Sequence, residues 1–452
     1  MEDEVRVASK RGVVRLILVL VVFALGCGYG MIAERTERFP YGPSRKILWA
    51  LRGSKNADPG ASGRWRLVRH SQDVSGLTEE QLEEMTRLRS IGYLTGSALP
   101  GGSSGVAVHD EGRAQAGLNL VVSGHHPGAE LMDMRGNTVH RWRLDFRAAW
   151  PDHDLPLDSN SGEYWRRTLL LDDGGVVAIY EGLGLVRLDR DSRLVWARAE
   201  GAHHDVDHTP GGGFCVLERE AGMLPRISTK HPVLEDFIVY LDSDGKLIRR
   251  ISVLEAFERS DYAAILTRMP RKGDIMHTNT LEVLDGTLAD RSPAFREGNV
   301  LVSILTLDTI AVIDPDAETV VWAMSGLWRL QHQPTVLPDG RMLVFDNKAG
   351  ERRSRVLELD PLSQEITWDY AGTPDRPFYS ETCGSNQRLA NGNTLITESD
   401  NGRAFEVARD GEIVWEYVNP NRAGVDDEFV ATLFEVVRLP DDSGFDWLDG
   451  RS

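Results

Sequence analysis

Twelve histidines occur in this 452-residue chain, and three of them recur at one place relative to a glycine turn. Counting eight residues back from the turn glycine, Gly212 leads to His204, Gly340 to His332, Gly174 to Arg166 and Gly392 to Gly384, while His277 stands nine before Gly286. A neutral imidazole can serve near neutral pH as nucleophile, general base or general acid. The local strings are HHDVDH from His203, DIMHTNT from Asp274 and LQHQP from Leu330. Asp205 is placed to orient a neighbouring imidazole. His204, His277, His332 and Asp205 are also ligand types for zinc, iron or manganese, although none of the spacings is a recognised metal motif. His70, His109, His125, His126, His140, His153 and His231 read as surface or packing residues.

Equivalent positions require equivalent elements, and from about residue 118 one unit recurs. It comprises a glycine turn, a short apolar strand, a second strand ending in an acidic turn, and a β-branched strand closed by tryptophan. Six copies are visible, five of them closed by Trp142, Trp196, Trp322, Trp368 and Trp415, and the third by Ile251. Short strands repeating every 40 to 50 residues are the pattern of propeller blades, whose sheets bury their faces only against neighbours. The expected fold is therefore all-β, a six-bladed β-propeller over residues 118–452, with the tryptophans as inter-blade packing. Residues 254–276 and 285–298 interrupt the rhythm and are expected as loops on the faces. The segment ATLFEVVRLP near the carboxy terminus is free to complete or overlap a blade. Blade strands start near the central channel, so Arg166, His204, His277 and His332 are expected to converge on one channel mouth.

Outside the repeats, Leu16 to Ile32 carries no charge and follows Arg6, Lys10, Arg11 and Arg15. A basic segment before an apolar run predicts an uncleaved amino-terminal transmembrane anchor or signal over residues 1–33. The body would then face the periplasm from the inner membrane of a bacterial cell envelope. Residues 34–117 read as a linker containing an amphipathic helix at 79–91, in which Thr78 and Gln81 form a capping box and Gly92 suits the stop. Lys and Arg number 51 against 69 Asp and Glu, a formal net charge of −18, and no basic run is present, so nucleic acid is not an expected partner. Of the three cysteines, Cys27 lies in the apolar run, and a Cys215–Cys383 disulfide is conceivable without a supporting framework pattern.

One known family shares these pieces in this order. The His203-His204-Asp205 segment, then His277-x-Asn279, then Gln331-His332 before the Asp339-Gly340 turn, Phe345-Asp346-Asn347 and Ser354-Arg355 resemble the bacterial arylsulfotransferases. The likeness continues into GSNQRLANGNTLI from Gly384 and spans roughly residues 118–420. It implies transfer of a sulfuryl group from a phenolic sulfate to a phenol acceptor, with no nucleotide sulfate donor, cofactor or metal. By that resemblance His332 is the nucleophile that becomes transiently sulfated, and His204 and His277 hold or protonate sulfuryl and phenolic oxygens. Asn279, His203, Arg166 and Arg355 are the expected substrate contacts. One departure stands out: Leu305 falls where the family carries an arginine, so either another cation substitutes, with Arg166, Arg329, Arg353 and Arg355 as candidates, or the activity is altered or absent. Two alternatives remain open, a metal-binding propeller enzyme and an inactive, membrane-anchored propeller acting as scaffold in an envelope protein complex.

Overall fold

The computed structural model describes residues 62–67, 104–153, 160–350, 352–374, 376–424, 427, 429–440 and 446–449. The apolar run 16–32 and the helix expected at 79–91 lie outside these residues. Among the described residues no helix is long and apolar enough to cross a membrane.

Alternation decides how the strands pack. In Val176–Tyr180 every residue is buried, with Val176 and Ala178 in one apolar cluster and Val177 and Ile179 in the next. Such a strand needs a partner sheet on each face. The chain supplies them as six sheets, here called blades, antiparallel apart from a short strand, Gly273–Asp274, that pairs in parallel with Val233–Leu241. Blade one contains Leu433–Leu439, Leu118–Ser123, Gly128–Met132 and Thr138–Arg143, from inside outward. Blade two is Arg167–Leu170, Val176–Tyr180, Gly184–Leu188 and Leu194–Arg198, and blade three is Ala202–His208, Phe214–Gly222, Val233–Leu241 and Leu247–Ser252. Blade four is Thr278–Val283, Val300–Ile304, Thr309–Asp314 and Thr319–Ser325, and blade five is His332–Val336, Met342–Gly350, Arg353–Leu359 and Ile366–Tyr370. Blade six is Ser385–Arg388, Thr394–Glu398, Arg403–Val407 and Ile413–Val418.

The innermost strands of consecutive blades touch from blade two to blade six, blade six touches blade one, and an Arg167–Glu435 ion pair joins blade one to blade two. Six apolar clusters fill the spaces between neighbouring blades. The ring is closed within one sheet, because the carboxy-terminal strand Leu433–Leu439 pairs with Leu118–Ser123. Two strands come from the stretch expected as linker: Gly105–His109 adds an outer strand to blade six, and Trp65–Leu67 pairs with Phe429–Ala431. The interruption at 254–276 contains a helix, Val253–Glu258, capped by the Ser252 hydroxyl accepting from the Glu255 amide at 3.1 Å, and its apolar face is buried.

The repeated tryptophans link blade to blade. The indole N–H groups of Trp142, Trp196, Trp368 and Trp415 donate to the carbonyls of Gly174, Ser243, Arg409 and Met134, each in the next blade round the ring. The turn glycines Gly174, Gly212, Gly286, Gly340 and Gly392 all have φ between 79° and 89°, a conformation open to glycine at little cost, which is why the turn residue recurs. Cys215 and Cys383 are both free thiols in different apolar clusters, so the disulfide considered from sequence does not form.

Candidate active site at the channel mouth

An innermost strand has one hydrogen-bonding edge facing no strand, and side chains from the neighbouring blade satisfy part of it. Asp205 accepts from the Leu281 amide, Asp207 from Val283, Thr280 from Gln333, Glu282 from Val336 and Thr397 from Val436. Where this lacing begins, the strands bulge: register shifts occur between Ala202 and Val206, Thr278 and Thr280, His332 and Thr335, and Leu433 and Glu435. A bulge re-aims the side chain beside it. His204 and His277 adopt φ of 55° and 51°, left-handed values that cost a non-glycine residue about 1–3 kcal/mol each and persist only where surroundings enforce them. Here the Glu181 carboxylate accepts the His204 amide at 3.1 Å, and the His277 carbonyl accepts the Leu305 amide at 3.2 Å.

Some of the residues expected to converge are in direct contact. The rings of His204 and His277 meet edge to face with centroids 4.9 Å apart, and the Nδ1 atoms of His203 and His204 lie 2.9 Å apart. Burial, aided by the Arg166 charge and the neighbouring His277, pushes His332 down to about 3. Burial first, then the charges of Arg219, Arg166 and His277, drives His203 and His204 well below the usual imidazole range. All three imidazoles are therefore neutral at ordinary pH. Arg166 is 7% exposed, lies 3.9 Å from Glu181 and stacks over Phe434 at 5.3 Å, so its charge reaches the mouth from blade two.

His332 has a defined tautomer. Its Nδ1 lies 2.8 Å from Asn347 Oδ1 and 3.1 Å from the Leu330 carbonyl. The Asn347 amide nitrogen donates to the Ser380 carbonyl at 2.9 Å and the Cys383 carbonyl at 2.6 Å, which fixes the amide oxygen toward the imidazole. Both neighbours of Nδ1 can only accept, so Nδ1 carries the hydrogen and Nε2 presents its lone pair. Ser354 braces this arrangement by donating to the carbonyls of Asn347 and Ser380.

His277 is oriented by a carboxylate. Asp274 Oδ2 lies 2.6 Å from its Nδ1. Burial alone would raise the Asp274 carboxyl, but the hydrogen bond and charge of His277 outweigh it and hold the group below its ordinary value. Asp205, expected from sequence to orient an imidazole, instead pairs with Arg167 at 2.8 Å and is pushed up to about 6 by burial. The groups that face imidazoles are Asp274, Glu181, 3.3 Å from His204 Nδ1, and Asp236, 3.6 Å from His203 Nε2. Only Asp274 could have been suspected from spacing, three residues before His277.

Two expected substrate contacts are otherwise engaged. The Asn279 amide donates to the Gln331 carbonyl at 2.8 Å, which ties blade four to blade five. Arg355 is held by Asp346 at 3.0 Å and by the Leu327 carbonyl at 2.6 Å, so it braces blade five. Of the arginines suggested to replace the one missing at Leu305, Arg329 and Arg353 are exposed and Arg166 is buried beside Glu181 and Phe434. Arg219, unforeseen, joins it by donating to Glu181 at 3.0 Å.

The metal set considered from sequence, His204, His277, His332 and Asp205, does not assemble among the described residues: Asp205 turns to Arg167, and the four do not bring their donor atoms together. Among the described residues two other groups bring donor atoms within 4.8 Å of one another: Glu181, His203 and His204 at the mouth, and His125, His126 and Glu130 in blade one.

No curated protein matches the chain. Solved structures with a related course include a Bacteroides caccae protein of unknown function, at 13% identity and TM-score 0.45, covering 71% of this chain and 98% of that one. A virginiamycin B lyase from Staphylococcus aureus is 9% identical with TM-score 0.40, covering 73% of this chain and 97% of that one. The Cps50 (Swd1) β-propeller domain of Myceliophteria thermophila is 11% identical with TM-score 0.41, covering 76% and 99%. Nothing about this chain's chemistry follows from likenesses at that level. The family model described as Arylsulfotransferase (ASST) matches residues 167–420, more than half of the chain and the span that holds His203, His204, His277 and His332. The chain belongs to the arylsulfotransferase family.

Proposed function

We propose that the chain transfers a sulfuryl group from a phenolic sulfate to a phenol through a sulfated His332. The observation that carries this reading is the Asn347 amide, which holds the Nδ1 hydrogen and leaves Nε2 as an uncharged nucleophile. In the first half-reaction the Nε2 lone pair attacks sulfur, the sulfur–oxygen bond to the phenol breaks, and the phenolate leaves with the bonding pair. His277, held through Nδ1 by Asp274, gives that oxygen a proton, and the carboxylate stabilises its imidazolium form. The sulfated ring carries positive charge at Nδ1–H, shared with Asn347 Oδ1 and the Leu330 carbonyl. In the second half the acceptor phenol gives its proton to His277 and attacks sulfur, and the sulfur–nitrogen bond returns its electrons to Nε2. Dividing one hard transfer into two easier ones is the advantage of the covalent route.

Arg166 is the best-placed cation for the anionic sulfuryl oxygens, compensating for Leu305. The phenols are the partners; attachment to the membrane through residues 16–32, with the body in the periplasm, is part of the same proposal. The test follows 4-nitrophenol release from 4-nitrophenyl sulfate with phenol as acceptor. Wild type should transfer and His332→Ala should not. Full activity in His332→Ala would exclude this nucleophile, and an inactive wild type would favour a scaffold role, the reading that Leu305 supports.

A further inference from the structure

We propose that Glu181, His203 and His204 form a divalent-metal site at the channel mouth, of the three-ligand type that suits zinc. The donor atoms lie within 4.8 Å of one another and come from the end of the second strand of blade two and the first strand of blade three. Zinc bonds nitrogen and oxygen at about 2.0–2.1 Å, so two tetrahedral ligands stand ~3.3 Å apart. Glu181 Oε1 and His204 Nδ1 are already 3.3 Å apart, while the two Nδ1 atoms at 2.9 Å need to open by a few tenths of an ångström.

A second observation points the same way. His203 Nε2 and Asp236 Oδ1 are both buried without a hydrogen-bond partner and face each other at 3.6 Å, with His203 and Asp236 each only 1% exposed. If His203 binds metal through Nδ1, its hydrogen sits on Nε2 and points at Asp236, the carboxylate–histidine–metal arrangement that orients ligating imidazoles. Asp236 is anchored through its other oxygen, which accepts the Thr278 amide at 2.6 Å. Arg219 donates to the Glu181 oxygen at 3.0 Å and would remain its outer partner, since a carboxylate oxygen has two lone pairs. Three protein ligands leave a fourth position for water or substrate oxygen. The His204 ring touches that of His277, whose carbonyl accepts the amide of Leu305, so on the proposed reaction the ion would add positive charge where the family arginine is missing.

The test is metal binding by the detergent-solubilised full chain, stripped with chelator and dialysed against zinc chloride, independent of any transfer assay. One zinc per chain is expected, and cobalt(II) should give the visible absorption of a tetrahedral nitrogen–oxygen site. His203→Ala and Glu181→Gln should lose stoichiometric binding, Asp236→Asn should weaken it about 10–100-fold, and His126→Ala, in the other donor group, should leave it intact. Binding well below one equivalent in wild type, binding unchanged in His203→Ala, or binding lost in His126→Ala would overturn the site. Because cobalt absorption is read on wild type, a variant that fails to fold does not blunt the test. Zinc bound without sulfuryl transfer would leave the site standing and remove the enzymatic reading, and transfer without zinc would do the reverse.

Discussion

An imidazole becomes a usable nucleophile only when its hydrogen is committed to the correct nitrogen, and here a neutral amide makes that commitment. Replacing Asn347 with leucine should lower kcat about 100-fold with little change in KM, because only the longer contact to the Leu330 carbonyl then holds the hydrogen on Nδ1; steady-state rates with 4-nitrophenyl sulfate separate the two. Asp274→Asn should cost a similar factor and alter the pH–rate profile, a change that a purely structural loss would not make. Burial of neutral imidazoles also has a price in acid. The unfolded His332 takes a proton near 6.5 and the folded one near 3, so the unfolded state binds more protons between those values and stability falls as pH drops through that window. The loss for this residue is on the order of a few kcal/mol, and urea unfolding at pH 7 and pH 4.5 should reveal it as a lower midpoint. His332, His277 and His204 were legible in the sequence because position within a repeat marks them. Glu181 facing His204, Asp236 facing His203, and Arg219 behind Glu181 were not, since these sit in or directly after second and third strands, where repeat position gives no hint of which residues reach the mouth.

The blade strands are short, and interfaces between blades carry their stability. Trp142 is fully buried and its indole N–H reaches Gly174, whereas Trp368 at the corresponding place is only partly buried, against Arg388 and Arg409. Trp142→Ala should therefore cost about 3–5 kcal/mol and Trp368→Ala distinctly less, measured by chemical denaturation of each variant. The repeat tryptophans were recognisable as packing from their period alone. Gly384 shows what period cannot reveal: it occupies the position taken by histidine in three blades, yet its φ is 105° and an added Cβ would stand 2.5 Å from the Phe345 ring. Blade five fills from behind the space that a side chain would take in blade six. The break in the ring of functional groups is a packing consequence, visible only once Phe345 and Gly384 are brought together.

At the scale of the molecule, the chain must close a ring from a linear string of repeats, and it does so out of phase with them. The first repeat as written, from Leu118, contains only three strands of its blade, and the missing innermost one arrives from Leu433–Leu439 at the other end of the chain. Six copies could be counted in the sequence, but the phase could not, because the closing strand resembles the start of a new repeat until its pairing with Leu118–Ser123 is seen. That strand also brings three anchors: Glu435 meets Arg167, Arg438 is buried against Glu406 at 3.0 Å, and the Val436 amide donates to Thr397. Removing it would expose the inner edge of blade one and leave the Arg167 and Glu406 charges short of a partner, faults that no neighbouring blade can repair. Truncation after Thr432 should thus abolish cooperative unfolding of the whole propeller rather than trim its stability. Truncation after Leu439 retains the closing strand and should preserve a single sharp transition, so thermal melts followed by circular dichroism distinguish a ring locked by its last strand from six blades that stand on their own.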